Sequence, residues 1–180
     1  DLLILYPLHV LAVDARIALA EALWETGYWD EARLHLVSVS KLPNIGPILQ
    51  VKVYILLGRI SVKSMEYQAG DHYLKKAYYT YRQAEAAGES IDLELMGAIL
   101  FYQAQLLDQV MRDLIIDKYK VASQRERHKS YLSMEAKAKW LLDAQDAYLR
   151  VTVLGPISWA KIAALRIGNL YEAFYESISD

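Results

Sequence analysis

The side chains able to do chemistry are sparse in this chain and badly spaced for it. The four histidines, His9, His35, His72 and His128, lie far apart. Only His35 has a carboxylate one helical turn back, at Glu31, and a single such pair reads as a surface contact rather than a metal site. The paired-histidine motif of metalloproteases is absent, as are a Gly-rich phosphate loop, a G-x-S-x-G elbow and the Glu-x-x-His pairs of di-iron bundles. There is no cysteine, which excludes a thiol nucleophile, a disulfide framework and Cys-ligated zinc. Fourteen tyrosines are present, and nothing in their spacing marks one as catalytic. An enzyme and a bound cofactor are therefore not expected. What stands out is recognition chemistry. Trp24, Tyr28 and Trp29 cluster, and such residues serve either as anchors for a bound peptide or as packing between neighbouring helices. A basic run, Lys118, Lys120, Arg125, Arg127, His128 and Lys129, is interrupted by Asp117 and Glu126. It reads as an exposed helix end or as a contact for an acidic partner or anionic lipid.

The elements that must position these residues are helical. The chain has 180 residues with only 8 Gly and 4 Pro, too few breakers for the many turns of an all-β sandwich or barrel. A hydrophobic fraction of 54% with a net charge of -2 excludes intrinsic disorder and a nucleic-acid binder driven by charge. The apolar stretch Leu2 to Val13 contains Pro7 and His9 and is too short to cross a bilayer. It also lacks the basic start and small-residue cleavage site of a signal peptide. The chain does not begin with Met and is read as part of a longer protein.

Periodicity predicts an Ala-rich helix from Val13 to Thr26, ended by Gly27, and a second from about Asp30 to Leu42, ended by Pro43. A longer pair follows, from Ile48 to Tyr67 and from His72 to Ala87, with its turn at Gly70-Asp71. A third helix is expected from Ile91 to Val121, a fourth from Tyr131 to Val153 and a last from Ser158 to Ser177. The implied organisation is one helical-repeat domain over 1–180, with hairpins at about 13–44, 48–88 and 91–153 and a lone helix at 158–177.

Dipeptides of an apolar and a small residue recur in these helices: Leu19-Ala20, Leu57-Gly58, Met96-Gly97 and Ile167-Gly168, at spacings of 38, 39 and 71 residues. Pro7, Pro43 and Pro156 recur just ahead of the helices that follow them. Leu19-Ala20, Leu23, Gly27-Tyr28-Trp29, Ala32, Leu36 and Pro43 resemble the tetratricopeptide repeat, a helix-turn-helix of 34 residues. Leu57-Gly58, Ala77, Tyr81 and Ala84 match the same pattern with about seven residues inserted at the turn. Ile167-Gly168 and Tyr171 match the first helix of a further repeat.

The resemblance implies an all-α, right-handed superhelix of antiparallel hairpins with some overlong helices, acting as a scaffold in a larger protein complex. In this repeat class the first helices line a concave groove. The register puts Asp14, Ile17, Glu21, Trp24 and Glu25 there from the first hairpin, and Lys52, Ile55, Arg59, Val62 and Lys63 from the second. The last helix adds Ile162, Leu165, Asn169 and Glu172. The trio Lys52, Arg59 and Lys63 is either a solvated face or a seat for an acidic segment, with Arg59 able to bind a carboxylate bidentately. The asparagines of the family's carboxylate clamp are not evident in the first two hairpins.

A narrower likeness lies near the C-terminal end, in Lys139, Leu142, Ala144, Ala147-Tyr148 and Val151, then Trp159-Ala160, Ala163-Ala164, Arg166-Ile167-Gly168 and Leu170-Tyr171-Glu172. These resemble large envelope-associated repeat proteins of gliding and predatory bacteria. That resemblance implies a periplasmic or outer-membrane setting and a structural part in an assembly or motility complex, with a cytoplasmic scaffold as the alternative.

Overall fold

The computed structural model describes residues 10–43, 45–114 and 124–179, with side chains from 131 onward in the last segment. Seven helices and no strand occur among the described residues. They are α1 (Val10–Glu25), α2 (Trp29–Ser40), α3 (Pro47–Lys63), α4 (Tyr67–Ala86), α5 (Leu93–Asp113), α6 (Gln124–Leu154) and α7 (Ile157–Ser179). The all-α expectation is met. The chain divides into two compact units, Asp1–Leu95 and Met96–Asp180.

In the first unit, α1 and α2 form a short hairpin and α3 and α4 a longer one. Val13, Ile17 and Ala20 of α1 close on Ala32, Leu36 and Val39 of α2 and on Val53, Leu56, Leu57 and Ile60 of α3. These positions repeat every three or four residues because that spacing returns a helix to the same face. Each fully buried Leu, Ile or Val contributes about 1.5–3 kcal/mol relative to exposure.

The turn of the second hairpin is not at Gly70-Asp71. α3 stops at Lys63, the connection is Ser64–Glu66, and α4 has already begun at Tyr67. The turn holds no insertion, because both hairpins close through three residues, 26–28 and 64–66. Gly27 holds φ +88 in the first turn, and Met65, 38 positions later, holds φ 60 in the second. The hydrogen bonds repeat as well. Gly27 N–H donates to Trp24 O at 3.1 Å and Tyr28 N–H to Leu23 O at 2.9 Å. Met65 N–H donates to Val62 O at 3.1 Å and Glu66 N–H to Ser61 O at 2.8 Å. Both are Schellman closures, which need a left-handed residue to satisfy the last carbonyls. Gly70 instead lies buried inside α4. Facing it, a Cβ on Gly58 would come 2.7 Å from Leu74 Cγ and 3.5 Å from Gly70 O, so the missing side chain permits the close crossing of α3 and α4.

In the second unit, Met111, Leu141, Ala144 and Leu170 draw α5, α6 and α7 together. Phe101 packs on Trp159 at 5.1 Å and on Tyr148 at 5.7 Å between ring centroids. Gly97 makes room for this: a Cβ there would fall 2.8 Å from Pro156 Cδ and closer still to Trp159 Cδ1. α5 ends at Asp113, short of the expected Val121, and 115–123 lie outside the described residues. α6 begins at Gln124, two turns before the expected Tyr131, so 124–130 are helical. Lys118 and Lys120 of the basic run lie outside the described residues, as do Pro7 and His9. Gly168 differs from the small residues of the first unit. It is exposed, and a Cβ on it would meet nothing within 4 Å.

Candidate partner-binding surface

The first hairpin's turn delivers Trp24 from the last turn of α1 and Trp29 from the first turn of α2. Their ring centroids lie 6.2 Å apart at an interplanar angle of 37°. α3 runs alongside and adds two cations. The Arg59 guanidinium sits 4.8 Å from the centroid of Trp24, and Lys63 Nζ sits 5.3 Å from that of Trp29. A third such contact, Lys76 Nζ over Tyr54 at 5.6 Å, joins α4 to α3. A cation over an aromatic face is worth about 0.5–1 kcal/mol when exposed, and more when desolvated. The rings thereby position the Arg59 and Lys63 cations along α3.

Lys52, Arg59 and Lys63 fall at i, i+7 and i+11 on α3, which puts them in one row about 16 Å long. α3 carries no acidic residue at all. Lys52 and Lys63 are exposed, and Arg59 and Trp24 are half-buried. Glu21 and Glu25 are exposed on α1, on either side of Trp24 along the helix, as is Asp14. Three residues expected to line the groove do not. Ile17, Ile55 and Val62 are 5%, 5% and 9% exposed and belong to the core. Their faces turn inward because apolar side chains at these positions complete the contact between helices.

A separate bridge ties the second helix to the following hairpin. Arg33 of α2 donates through Nη1 to Glu66 Oε2 at 2.5 Å and through Nη2 to Ser64 Oγ at 3.2 Å, both in the α3–α4 turn. Asn169 belongs to the second unit, where it is half-buried and its backbone carbonyl accepts from Arg112 Nη2 at 3.3 Å. Ile162, Leu165 and Glu172 are exposed on the same helix.

The second unit also holds a polar cluster that sequence reasoning missed. Asp108 is 3% exposed on α5. It accepts from Arg112 Nε at 2.6 Å and from Tyr148 Oη of α6 at 3.2 Å. Burial, followed by the neighbouring Asp108 carboxylate, pushes the Tyr148 phenol well above its usual range, so it stays a neutral donor. Lys137, 4% exposed, donates to Leu114 O at 2.9 Å at the end of α5. One signal was present. Ala104, Asp108 and Met111 share a helical stripe, which places a carboxylate in an apolar row. The cluster joins α5 to α6. Among the described residues no group of three His, Cys, Asp or Glu side chains could hold a metal ion. No described helix is long and apolar enough to cross a membrane. Compared with known protein families, with curated proteins and with solved structures, the chain shows no significant match.

Proposed function

We propose that this protein is a protein-binding scaffold of the tetratricopeptide-repeat kind, its hairpins stacking into a right-handed superhelix. The face carrying Trp24, Lys52, Arg59 and Lys63 receives an acidic peptide or helix of a partner within a larger complex. Two observations support the repeat reading. Ala20, Ala32, Leu36 and Val39 of the first hairpin and Gly58, Gly70, Leu74 and Ala77 of the second have the same spacing, and all eight are buried. Their turns close with the same hydrogen bonds.

The observation that carries the binding reading is the pair of cations stacked on two tryptophans beside a helix without acids. Arg59 and Lys63 are held over the two rings on a helix that carries no acidic residue, and this cationic row favours an incoming acidic segment. Trp24 adds apolar contact area, and the exposed Glu21 and Glu25 at the rim select register by repelling misplaced acidic residues. Fluorescence anisotropy with labelled acidic peptides tests this. Binding is expected to weaken with added salt. Arg59→Glu and Trp24→Ala are each expected to weaken it at least ~10-fold, about 1.4 kcal/mol. If both variants bind like the parent, or no acidic peptide binds at all, the reading fails.

A further inference from the structure

We propose that α7 pairs with α7 of a second copy of this chain, antiparallel and about a two-fold axis. The starting point is a glycine that its own fold does not need. Gly168 lies in mid-helix, where glycine weakens the helix relative to alanine. It is exposed, its φ is ordinary, and a Cβ there would meet nothing within 4 Å. Gly58 and Gly97, by contrast, are each pressed by a neighbouring side chain. A glycine facing open space is accounted for when another helix crosses closely at that point.

The residues in line with Gly168 are Ile157, Lys161, Ala164, Tyr171 and Tyr175. With Gly168 they follow one another at intervals of 4, 3, 4, 3 and 4, and all six are exposed. This is a coiled-coil seam left on the outside of a helix whose own unit buries only Ala163 and Leu170 of it. The intervals read the same in both directions, so a reversed copy can meet every position. Setting Ala164 against Gly168 of the copy puts the two smallest residues together at the centre, where the backbones come closest. The same register sets Ile157 against Tyr175 at both ends and Lys161 against Tyr171. It also brings Lys161 beside the adjacent Glu172 of the copy, an opposite-charge pair made twice by symmetry.

The size of the face agrees with such a pairing. Tyr171 Oη donates to Gln145 Oε1 of α6 at 2.6 Å, so the α6 stripe around Gln145 flanks the seam. That stripe exposes Leu142, Leu149 and Val153. With Ile157, Tyr171 and Tyr175, these side chains are between 42% and 78% exposed. At on the order of 100 Å² each, with smaller additions from Ala164 and the Lys161 stem, the face offers roughly 700 Å² per copy. One side of a standard interface is about 800 Å², and a monomer's largest apolar patch is usually about 300–600 Å².

Sedimentation equilibrium of the full 180-residue chain over a concentration series tests the pairing. The mass is expected to rise from 20.6 kDa towards twice that value. Gly168→Leu, which the protomer can accommodate, should weaken association at least ~10-fold, as should Lys161→Glu through two like-charge contacts. Glu172→Lys combined with Lys161→Glu should restore it. Far-ultraviolet circular dichroism checks that each variant keeps its helicity. A chain that stays at 20.6 kDa at every concentration overturns the proposal, and so does a dimer indifferent to Gly168→Leu. A dimer that loses affinity with Lys161→Glu but is not rescued by the double variant overturns the antiparallel register.

Discussion

In the first unit, α1 to α4 meet through aliphatic side chains and through backbones brought close at Ala20, Ala32, Gly58 and Gly70. In the second, α5 and α6 are joined at a buried carboxylate, with Tyr148 and Arg112 as its donors, and Met111, Leu141, Ala144 and Leu170 bring in α7. The first arrangement repeats, since each hairpin carries small buried residues at the same two places, Ala20 and Ala32 in one and Gly58 and Gly70 in the other. The second is particular to its site. A buried carboxylate tolerates only an arrangement that brings both donors to it, because an unmet buried charge costs several kcal/mol. Repetition is therefore visible in the first unit as a spacing and a shared turn, whereas the second unit is specified by one unrepeated set of hydrogen bonds.

The largest effect is expected where that specificity is concentrated. Tyr148→Ala empties a fully buried site beside Phe101 and removes a donor from Asp108. Chemical denaturation should show a loss of about 3–5 kcal/mol. Hydrogen exchange should accelerate in α5 to α7 with little change in α1 to α4. Equal acceleration in both units would mean that the two do not differ as described.

A smaller effect is expected in the first unit from Gly58→Ala. The added Cβ presses on Leu74 Cγ near the crossing of α3 and α4, at a cost of about 1–3 kcal/mol. The loss should appear as faster exchange in α3 and α4. A neutral result would show that the crossing is looser than its glycine implies. The smallest effect is a gain. Met65 is 69% exposed and sits at φ 60, where a side chain is strained. Met65→Gly gives the second turn the residue that the first already has. It should raise stability by about 0.5–1 kcal/mol, read as an upward shift of the denaturation midpoint.

Met65 also explains where the sequence misled. The first hairpin was legible because Gly27 sits at its left-handed closure, the place where glycine is expected. The second closure carries a methionine, which has no turn signature, and the nearest glycine is Gly70. Reading Gly70 as the turn displaced the connection by several residues and required an insertion that does not exist. The two kinds of glycine look alike in one dimension. One relieves backbone strain and the other relieves a clash between helices, and only the second depends on residues distant in sequence.

The candidate surface divides in the same way. The row Lys52, Arg59 and Lys63 was legible, because helical spacing alone puts i, i+7 and i+11 on one line. Their neighbours were not, since Trp24 and Trp29 lie some 30 residues earlier in the chain and come alongside only through the packing of α1 and α2 on α3. Asp108 was legible only as a carboxylate in the apolar stripe of Ala104 and Met111, four positions before Arg112. Its burial and its bond to Tyr148, 40 residues away, required α6 to fold back.

By itself, the sequence determined that the chain is helical, because periodicity and breaker content act through the backbone over a few residues. It determined that no thiol chemistry is available, because that needs only composition. It also determined which residues share a face of each helix. The tertiary structure decided what those faces meet: a core for Ile17, Ile55 and Val62, two aromatic rings for Arg59 and Lys63, and open solvent for Gly168. The physical reason is one of range. Helix geometry is set by neighbours within about four positions along the chain, whereas burial, cation–ring stacking and close backbone approach are set by neighbours in space.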